Sequence, residues 1–361
     1  MQRIASFQEE VKGQAEGPGA VSDRPSREAK AGGLEAMEPT GEILSDLTRR
    51  GKERPWLDKH LGSRKVSAAY SALGQPGKSA RCRNCGTKLT FNECPVDGQK
   101  RLQRANFCRE RLCPMCAWRR SLKWAADVSM VLHVAAEEQP QWQYVLLTLT
   151  QQNVPSVELS GEISRILAAW SKLARRQEFR AVAGWLRTLE ITRNNQPGLW
   201  QGTWHPHIHV LLAVNPAYFG RGYVTQKRWR ELWAEVMGLA YDPRVDVRKV
   251  RSRKATDDAL GKVAAEVGKY TVKDNDLIGQ DGADTIGRVK VLDQALKGRH
   301  LIAWGGELKR IAKQIAPTVP EAEEDLVRIT GEDHGPNCPV CGTEMLAHTY
   351  RWVQSVRQYV G

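Results

Sequence analysis

An α+β fold, with one central antiparallel sheet, flanking helices and small zinc-binding modules, is what this sequence predicts, and three observations predict it. Two strand-like runs, GWLRTLEITRN (Gly184–Asn194) and LWQGTWHPHIHVLLAV (Leu199–Val214), are separated only by the turn signal NQPG, which makes them neighbouring antiparallel strands. Around them strand and helix patterns follow one another in the order β-α-β-β-α-β-α, as expected for helices packed on a single antiparallel sheet. All eight cysteines fall in two clusters, and Cys82/Cys85, Cys113/Cys116 and Cys338/Cys341 have CxxC spacing. In a reducing compartment that spacing reads as metal ligation before disulfide.

The elements follow in order. Residues 1–75 mix Gly, Glu, Arg, Ser and Ala without helical or strand period and are expected to be a disordered tail, apart from a short helix around Ile43–Arg50. Residues 76–140 hold the first cysteine cluster and a basic helix from about Arg119 to Glu138. QYVLLTLTQQ (Gln143–Gln152) is short, apolar and β-rich, so it reads as a buried strand. Ile163, Ile166, Leu167, Trp170 and Leu173 recur at helical spacing after it. Beyond the hairpin come a Trp-rich helix (Gln226–Met237), a strand (Val245–Val250) and a helix from about Thr256 to Lys273. Residues 141–316 are thus expected to form the main domain. Residues 317–361 are expected to form an acidic linker, PEAEED, and a small C-terminal CxxC module.

Composition limits the function. At 361 residues the chain has room for two domains at roughly 150 residues each, and Lys and Arg outnumber Asp and Glu by 54 to 41, a formal charge of +13. A basic surface of this size fits a polyanion, with nucleic acid first. No apolar stretch approaches the ~18 residues of a membrane span and no secretory pattern opens the chain, so a cytoplasmic protein is expected.

The histidines carry the chemistry. In TWHPHIHVLL, His205, His207 and His209 alternate along a strand and therefore share one face, while Ile208 and Val210 face the core. Pro206 cannot donate to a ladder, which places it at a sheet edge or at the strand's beginning. On the preceding strand Thr188, Glu190 and Thr192 share a face, so the hairpin makes Glu190 a third ligand beside His207 and His209. One oxygen and two imidazoles suit Mg2+ or Mn2+ acting on a phosphate, with Zn2+ left open. The alternative is three histidines hydrogen-bonded to backbone. In DDALGKVAAEVGKYTVKDND, helical spacing puts Leu260, Val263, Ala264 and Val267 on one face and Lys262, Glu266, Lys269, Tyr270 and Lys273 on another. A phenol with a pKa near 10 needs cations to become a nucleophile, and Lys269 and Lys273 supply them.

Among the cysteines, Cys82, Cys85, Cys113 and Cys116 make a zinc signature, with Cys94 and Cys108 competing for places. The basic element they staple carries Arg109, Arg111, Arg119, Arg120 and Lys123, candidate DNA contacts. His334, Cys338, Cys341 and His348 suffice for a second site.

Taken together, FCRERLCPMCAWRR, LLTLTQQNV, WHPHIHVLL, EVGKYTVK and GRHLIAWGGELK resemble the HUH superfamily of single-strand DNA nicking enzymes, and within it the Rep_1-type initiators of rolling-circle plasmid replication. The resemblance covers about Arg81 to Ala316. It implies a ferredoxin-like nuclease domain, a divalent metal on His207 and His209, and Tyr270 as the nucleophile that becomes joined to a 5′-phosphate. It also implies Glu266 as the carboxylate that activates water to end the cycle. Glu190 matches the acidic third ligand seen more widely in HUH enzymes, and His205 is either a ligand or a neighbour of ligands. The implied partners are single-stranded or supercoiled origin DNA and a bacterial host's helicase and polymerase; oligomeric state is left open. Two rivals remain: an HUH transposase, against which the single tyrosine of the helix argues, and a non-catalytic zinc-finger regulator, which leaves the histidines and the tyrosine helix unexplained.

Overall fold

The computed structural model describes residues 41–48, 50–250, 261, 263–264, 267, 271–315, 323–329 and 335–361. In chain order the elements are α1 (Trp56–Ala72), α2 (Pro76–Asn84), β1 (Lys88–Glu93), β2 (Lys100–Ala105), α3 (Pro114–Glu138), β3 (Gln143–Leu149), α4 (Leu159–Leu173), β4 (Val182–Arg193), β5 (Trp204–Val214), α5 (Gln226–Met237), β6 (Val245–Lys249), α6 (Asp274–Leu277), α7 (Gly282–Leu296), β7 (Ile302–Gly305), α8 (Gly306–Ile315), β8 (Leu346–Val353) and β9 (Gln358–Val360). They form two antiparallel sheets, a five-stranded one in the order β6-β3-β5-β4-β7 and a four-stranded one in the order β2-β1-β8-β9. The α+β class with helices flanking antiparallel strands is what the sequence led us to expect.

The five-stranded sheet is covered on both faces because the second half of β5, from Ile208 but for His209, and most of β3 are apolar at successive positions. Ile208, Val210, Leu212 and Val214 of β5 share a core with Ile163, Ile166 and Trp170 of α4 and Trp229 and Trp233 of α5. On the opposite face Leu211 and Ala213, with Leu186 of β4, pack with Val131, Leu132 and Ala135 of α3 and Leu308, Ile311 and Ala312 of α8. Val263, Ala264 and Val267 join that second core, as their helical spacing predicts. Its apolar floor runs out along β5, where the positions after Ala213 and Leu211 on the same face are His209, His207 and His205.

Pro206 lies near the start of β5, as expected. β3 pairs with β5 only as far as Leu149 opposite Ile208, so Pro206 faces no β3 rung, while its other flank pairs with Ile191 of β4. The strand begins at Trp204 rather than Leu199. The NQPG turn is extended through residue 203, closed by Asn194 N–H donating to Thr203 O at 2.9 Å and Gly202 N–H donating to Asn194 O at 2.8 Å.

The terminal regions depart from expectation. Of the tail expected over 1–75, residues 1–40 lie outside the described residues, but Trp56–Ala72 is a full helix packed against α2, α3 and α7. Its buried side includes Lys59, His60, Gly62, Ser63 and Ser67, so no apolar stripe marked it in the sequence. These polar groups find partners instead: Lys59 Nζ on Asp274 at 2.6 Å, Ser67 Oγ on Ser79 O at 2.8 Å and His60 Nδ1 on Cys85 O at 3.1 Å. The helix expected around Ile43–Arg50 is absent from the described part of that stretch, where Ile43 bridges Val360 and Leu47 bridges Glu53. The C-terminal CxxC segment is no separate module, since β8 pairs with β1 and closes one sheet with it. The described end of the acidic stretch is docked rather than a linker: Glu324 is buried and accepts from Arg120 Nε at 2.5 Å.

Candidate functional site

The hairpin register decides the site. Glu190 lies opposite His207, Thr188 opposite His209 and Thr192 opposite His205, so the carboxylate and two imidazoles emerge on one face. Glu190 Oε2 is 2.9 Å from His209 Nε2 and 3.4 Å from His207 Nε2, and Glu190 Oε1 is 2.7 Å from Lys273 Nζ. Each imidazole has its other nitrogen engaged. His207 Nδ1 donates to the His205 carbonyl at 3.1 Å, and His209 Nδ1 lies 3.1 Å from Thr148 Oγ1 on β3. A carbonyl only accepts, so Nδ1 of His207 carries a proton, and its Nε2 is aimed at a carboxylate oxygen. At these distances a proton or a cation must lie between the nitrogen and the oxygen. The donor set therefore fits a divalent metal, with outer hydrogen bonds that fix both rings.

Burial opposes ionisation of Glu190, but hydrogen bonds from His207, His209 and Lys273 outweigh it and hold the carboxyl well below the usual carboxylate range. His205 stacks on His207, with ring centroids 5.0 Å apart, and does not join the group whose ligand atoms converge. Burial, with His207 beside it, lowers its imidazole to about 4, so it is neutral at pH 7. Thr148 was missed by sequence reasoning; its signal was a threonine in β3 at the register position across from His209.

Tyr270, Glu266 and Lys269 lie outside the described residues. The chain that follows Tyr270 is well placed: Ile191 N–H donates to Thr271 O at 2.7 Å, and Lys273 reaches Glu190. The helix expected to run to Lys273 has ended by Thr271. Lys273, expected to hold phosphate, is half-exposed with its ammonium on the carboxylate.

Two thiol clusters stand apart from this site. Cys85, Cys108, Cys113 and Cys116 have all four sulfurs within 4.8 Å of one another. A tetrahedron of ~2.3 Å metal–sulfur bonds has edges of about 3.8 Å. Cys108 N–H and Arg109 N–H point at the sulfurs of Cys85 and Cys116 at 3.4 and 3.2 Å. Cys82 is buried beside Cys108 and Cys113 but is not one of the four, so the gathered set is not the two complete CxxC pairs that spacing favoured. The second cluster is Cys94, Asp97, Cys338 and Cys341. Cys94 thus leaves the first cluster for the C-terminal one. His348 is turned to Glu93, and His334 lies outside the described residues.

The cations of the basic element expected to touch DNA have partners within the protein, with Arg119 buried and Arg109 exposed. Arg119 is 3% exposed, with Nε on Leu326 O at 2.8 Å, and it lies against the rings of Trp56 and Trp118. It is not a surface contact, which corrects the expectation for that residue. Arg109 Nε donates to Glu324 O at 3.0 Å, Arg111 donates to Leu296 O, and Lys123 Nζ donates to Asp127 at 2.9 Å. Arg109, Arg119 and Arg120 hold residues 324–327 beside α3, whereas Arg111 reaches the end of α7 and Lys123 a neighbour on α3 itself.

The five-stranded sheet presents two histidines and a carboxylate on one face, and the chain carries two thiol clusters besides. Residues 99–360 match the Rep_1 family, described as replication protein, and this chain belongs to that family. It is 39% identical over 313 residues to "Protein rep" of Bacillus amyloliquefaciens, covering 81% of this chain and 90% of that one. It is 35% identical over 287 residues to "Protein rep" of Streptococcus pneumoniae, covering 78% and 86%. It is 34% identical over 299 residues to "Protein rep" of Lactiplantibacillus plantarum, covering 81% and 92%. No solved structure matches the chain. No helix among the described residues is long and apolar enough to cross a membrane.

Proposed function

We propose that this chain initiates rolling-circle replication of a plasmid by nicking one strand of origin DNA through Tyr270, then rejoining the strand at termination. The observation that carries the proposal is the convergence of Glu190, His207 and His209 beside Thr271 and Lys273, the residues that follow Tyr270 in the chain. Mg2+ or Mn2+ held by His207, His209 and Glu190 would supply Lewis-acid polarisation of the scissile phosphate. His205 and Thr148 keep the two rings in register.

Tyr270 gives its phenolic proton to solvent, from which the leaving 3′-oxygen is protonated in turn, and Lys269 and Lys273 favour the anion. Its oxygen bonds to phosphorus as the bond from phosphorus to the 3′-oxygen breaks. The 3′-oxygen takes a proton and leaves as a hydroxyl that primes the host polymerase, while the 5′-phosphate stays on the tyrosine and the host helicase opens the duplex. At termination Glu266 takes a proton from water, whose oxygen bonds to phosphorus and cuts the regenerated origin, freeing a 3′-hydroxyl; that hydroxyl attacks the phosphotyrosyl phosphorus, the tyrosine oxygen leaves and takes a proton, and the strand is rejoined without a second tyrosine. The nicking and joining domain is the five-stranded sheet with its helices, about residues 141–316. Cys85, Cys108, Cys113 and Cys116 hold a structural Zn2+. Membership of a replication-protein family supports a replication origin over a transposon end as substrate, and the formal charge of +13 supports DNA as the partner. The protein works in the bacterial cytoplasm.

The test is Tyr270→Phe on an origin oligonucleotide. Nicking and the covalent protein–DNA adduct should vanish while DNA binding is retained, because a hydroxyl is lost and no cation. An adduct formed by the Phe variant would move the nucleophile elsewhere. Tyr223, which is exposed, would then be the better candidate than the buried Tyr218.

A further inference from the structure

Two stretches far apart in the chain repeat each other: CPVDG, Cys94–Gly98, and CPVCG, Cys338–Gly342. They fold alike. Cys94 N–H donates to Gln99 O at 2.9 Å and Gly98 N–H to Cys94 O at 3.0 Å; Cys338 N–H donates to Thr343 O at 2.8 Å and Gly342 N–H to Cys338 O at 2.9 Å. The closing glycines have φ of 68° and 74°, a left-handed turn that side chains disfavour. Val96 and Val340 occupy matching tips and are 70% and 71% exposed. Such matched loops are built for what they hold between them, not for what they bury.

What lies between them is three thiols and a carboxylate. Cys94 Sγ is 3.4 Å from Cys341 Sγ, Cys338 Sγ is 3.4 Å from Asp97 Oδ2, and all four donor atoms fall within 4.8 Å of one another. Among the described residues the local apolar cluster consists of Cys94, Cys338 and Met345. Three side chains give little burial to hold together loops separated by more than 200 residues. A disulfide would use two of the thiols and leave the third sulfur and the carboxylate aimed at the same point. Four ligands converging on one point is the arrangement of a closed tetrahedral site, and three thiolates select a soft or borderline cation.

We infer that Cys94, Asp97, Cys338 and Cys341 form a second structural Zn2+ site that clamps the two loops together. Cys85 precedes β1 and Cys94 follows it, while β2 leads from the Cys94 loop back toward Cys108. The two thiol clusters therefore sit at opposite ends of the four-stranded sheet, one β1 length apart, roughly 17 Å at 3.3 Å per residue. The second site fixes β8 at its first residues; β8 and β9 carry Tyr350 and Tyr359 into the core, and Tyr359 donates to Gly86 O, next to Cys85 of the first cluster, at 2.6 Å.

The experiment compares zinc per chain in full-length wild type, Cys341→Ser and Asp97→Cys, purified under reducing conditions without chelator. Cys341 is exposed, so its Ser variant should fold, and it should carry one equivalent of zinc less than wild type. Asp97→Cys should keep the full zinc content and, after exchange into Co2+, show a stronger sulfur-to-metal charge-transfer band because a fourth thiolate has joined. Unchanged zinc in Cys341→Ser would overturn the inference. So would an unchanged Co2+ spectrum in Asp97→Cys, or a Cys94–Cys341 disulfide found by mass spectrometry in the reduced wild-type protein.

Discussion

The two sheets hold their charged groups in opposite ways. In the five-stranded sheet Glu190, His207 and His209 stand on adjacent strands whose pairing runs from Val182 to Arg193, and β3 and β7 brace the pair from outside. Hydrogen bonds to Thr148, to the His205 carbonyl and to Lys273 hold the ligands in place by themselves. The four-stranded sheet is smaller, and the loops at its Cys94 end meet at three thiols and a carboxylate. The first site is organised by protein contacts, whereas the second sheet would take much of its organisation from metals at its thiol clusters. A catalytic centre gains from the first design because reacting groups need no rearrangement during the step, and a structural clamp needs only the second.

The largest effect should come from attacking the metal-dependent sheet. Structural zinc in small modules carries roughly 10–16 kcal/mol of apparent binding free energy at pH 7. Cys116→Ser, or prolonged treatment with a strong chelator, should open the sheet to protease between residues 85 and 116 and from 338 onward, while the β4–β5 hairpin stays protected. Cleavage spread evenly over both sheets would break the comparison.

Next come the hairpin ligands. His207→Ala and His209→Ala should each cut metal-dependent nicking by more than the ~100-fold that bounds a typical outer-shell change, and Thr148→Val and His205→Ala should fall in the range of about 10–100-fold. All four should melt near the wild-type temperature. A large drop in melting temperature for the ligand variants would mean that this site too is part of the scaffold, and equal small losses at all four positions would remove the metal role.

The smallest effect sharpens the contrast for the basic element. Arg119→Ala removes a buried guanidinium that donates to the carbonyls of Leu326 and Val327, at a cost of about 1.5–3 kcal/mol for each charged hydrogen bond. Denaturant unfolding should show the loss. The slope of DNA affinity against salt should stay unchanged, because no phosphate contact is removed; a slope reduced by about one would return Arg119 to the interface.

Side-chain alternation along a strand has a period of two and turn signals are local, so the sequence by itself determined that Glu190 and the histidines share a face, and that β3 and the Gln226–Met237 helix exist. The family was legible for the same reason, since its motifs are short contiguous runs. The helix at Trp56–Ala72 was not legible, because its buried side carries Lys59, His60 and serines whose partners come from α2, α3 and α6. Nor was the choice among eight cysteines: spacing offers Cys82 and Cys85 alike, and only the meeting of β1 with β8 brings Cys94 to Cys338 and Cys341. Arg119 and Arg120 read as a DNA surface until residues 324–327 dock against them. In each case the deciding contact joins segments tens to hundreds of residues apart, and no local period records which distant group a side chain will meet.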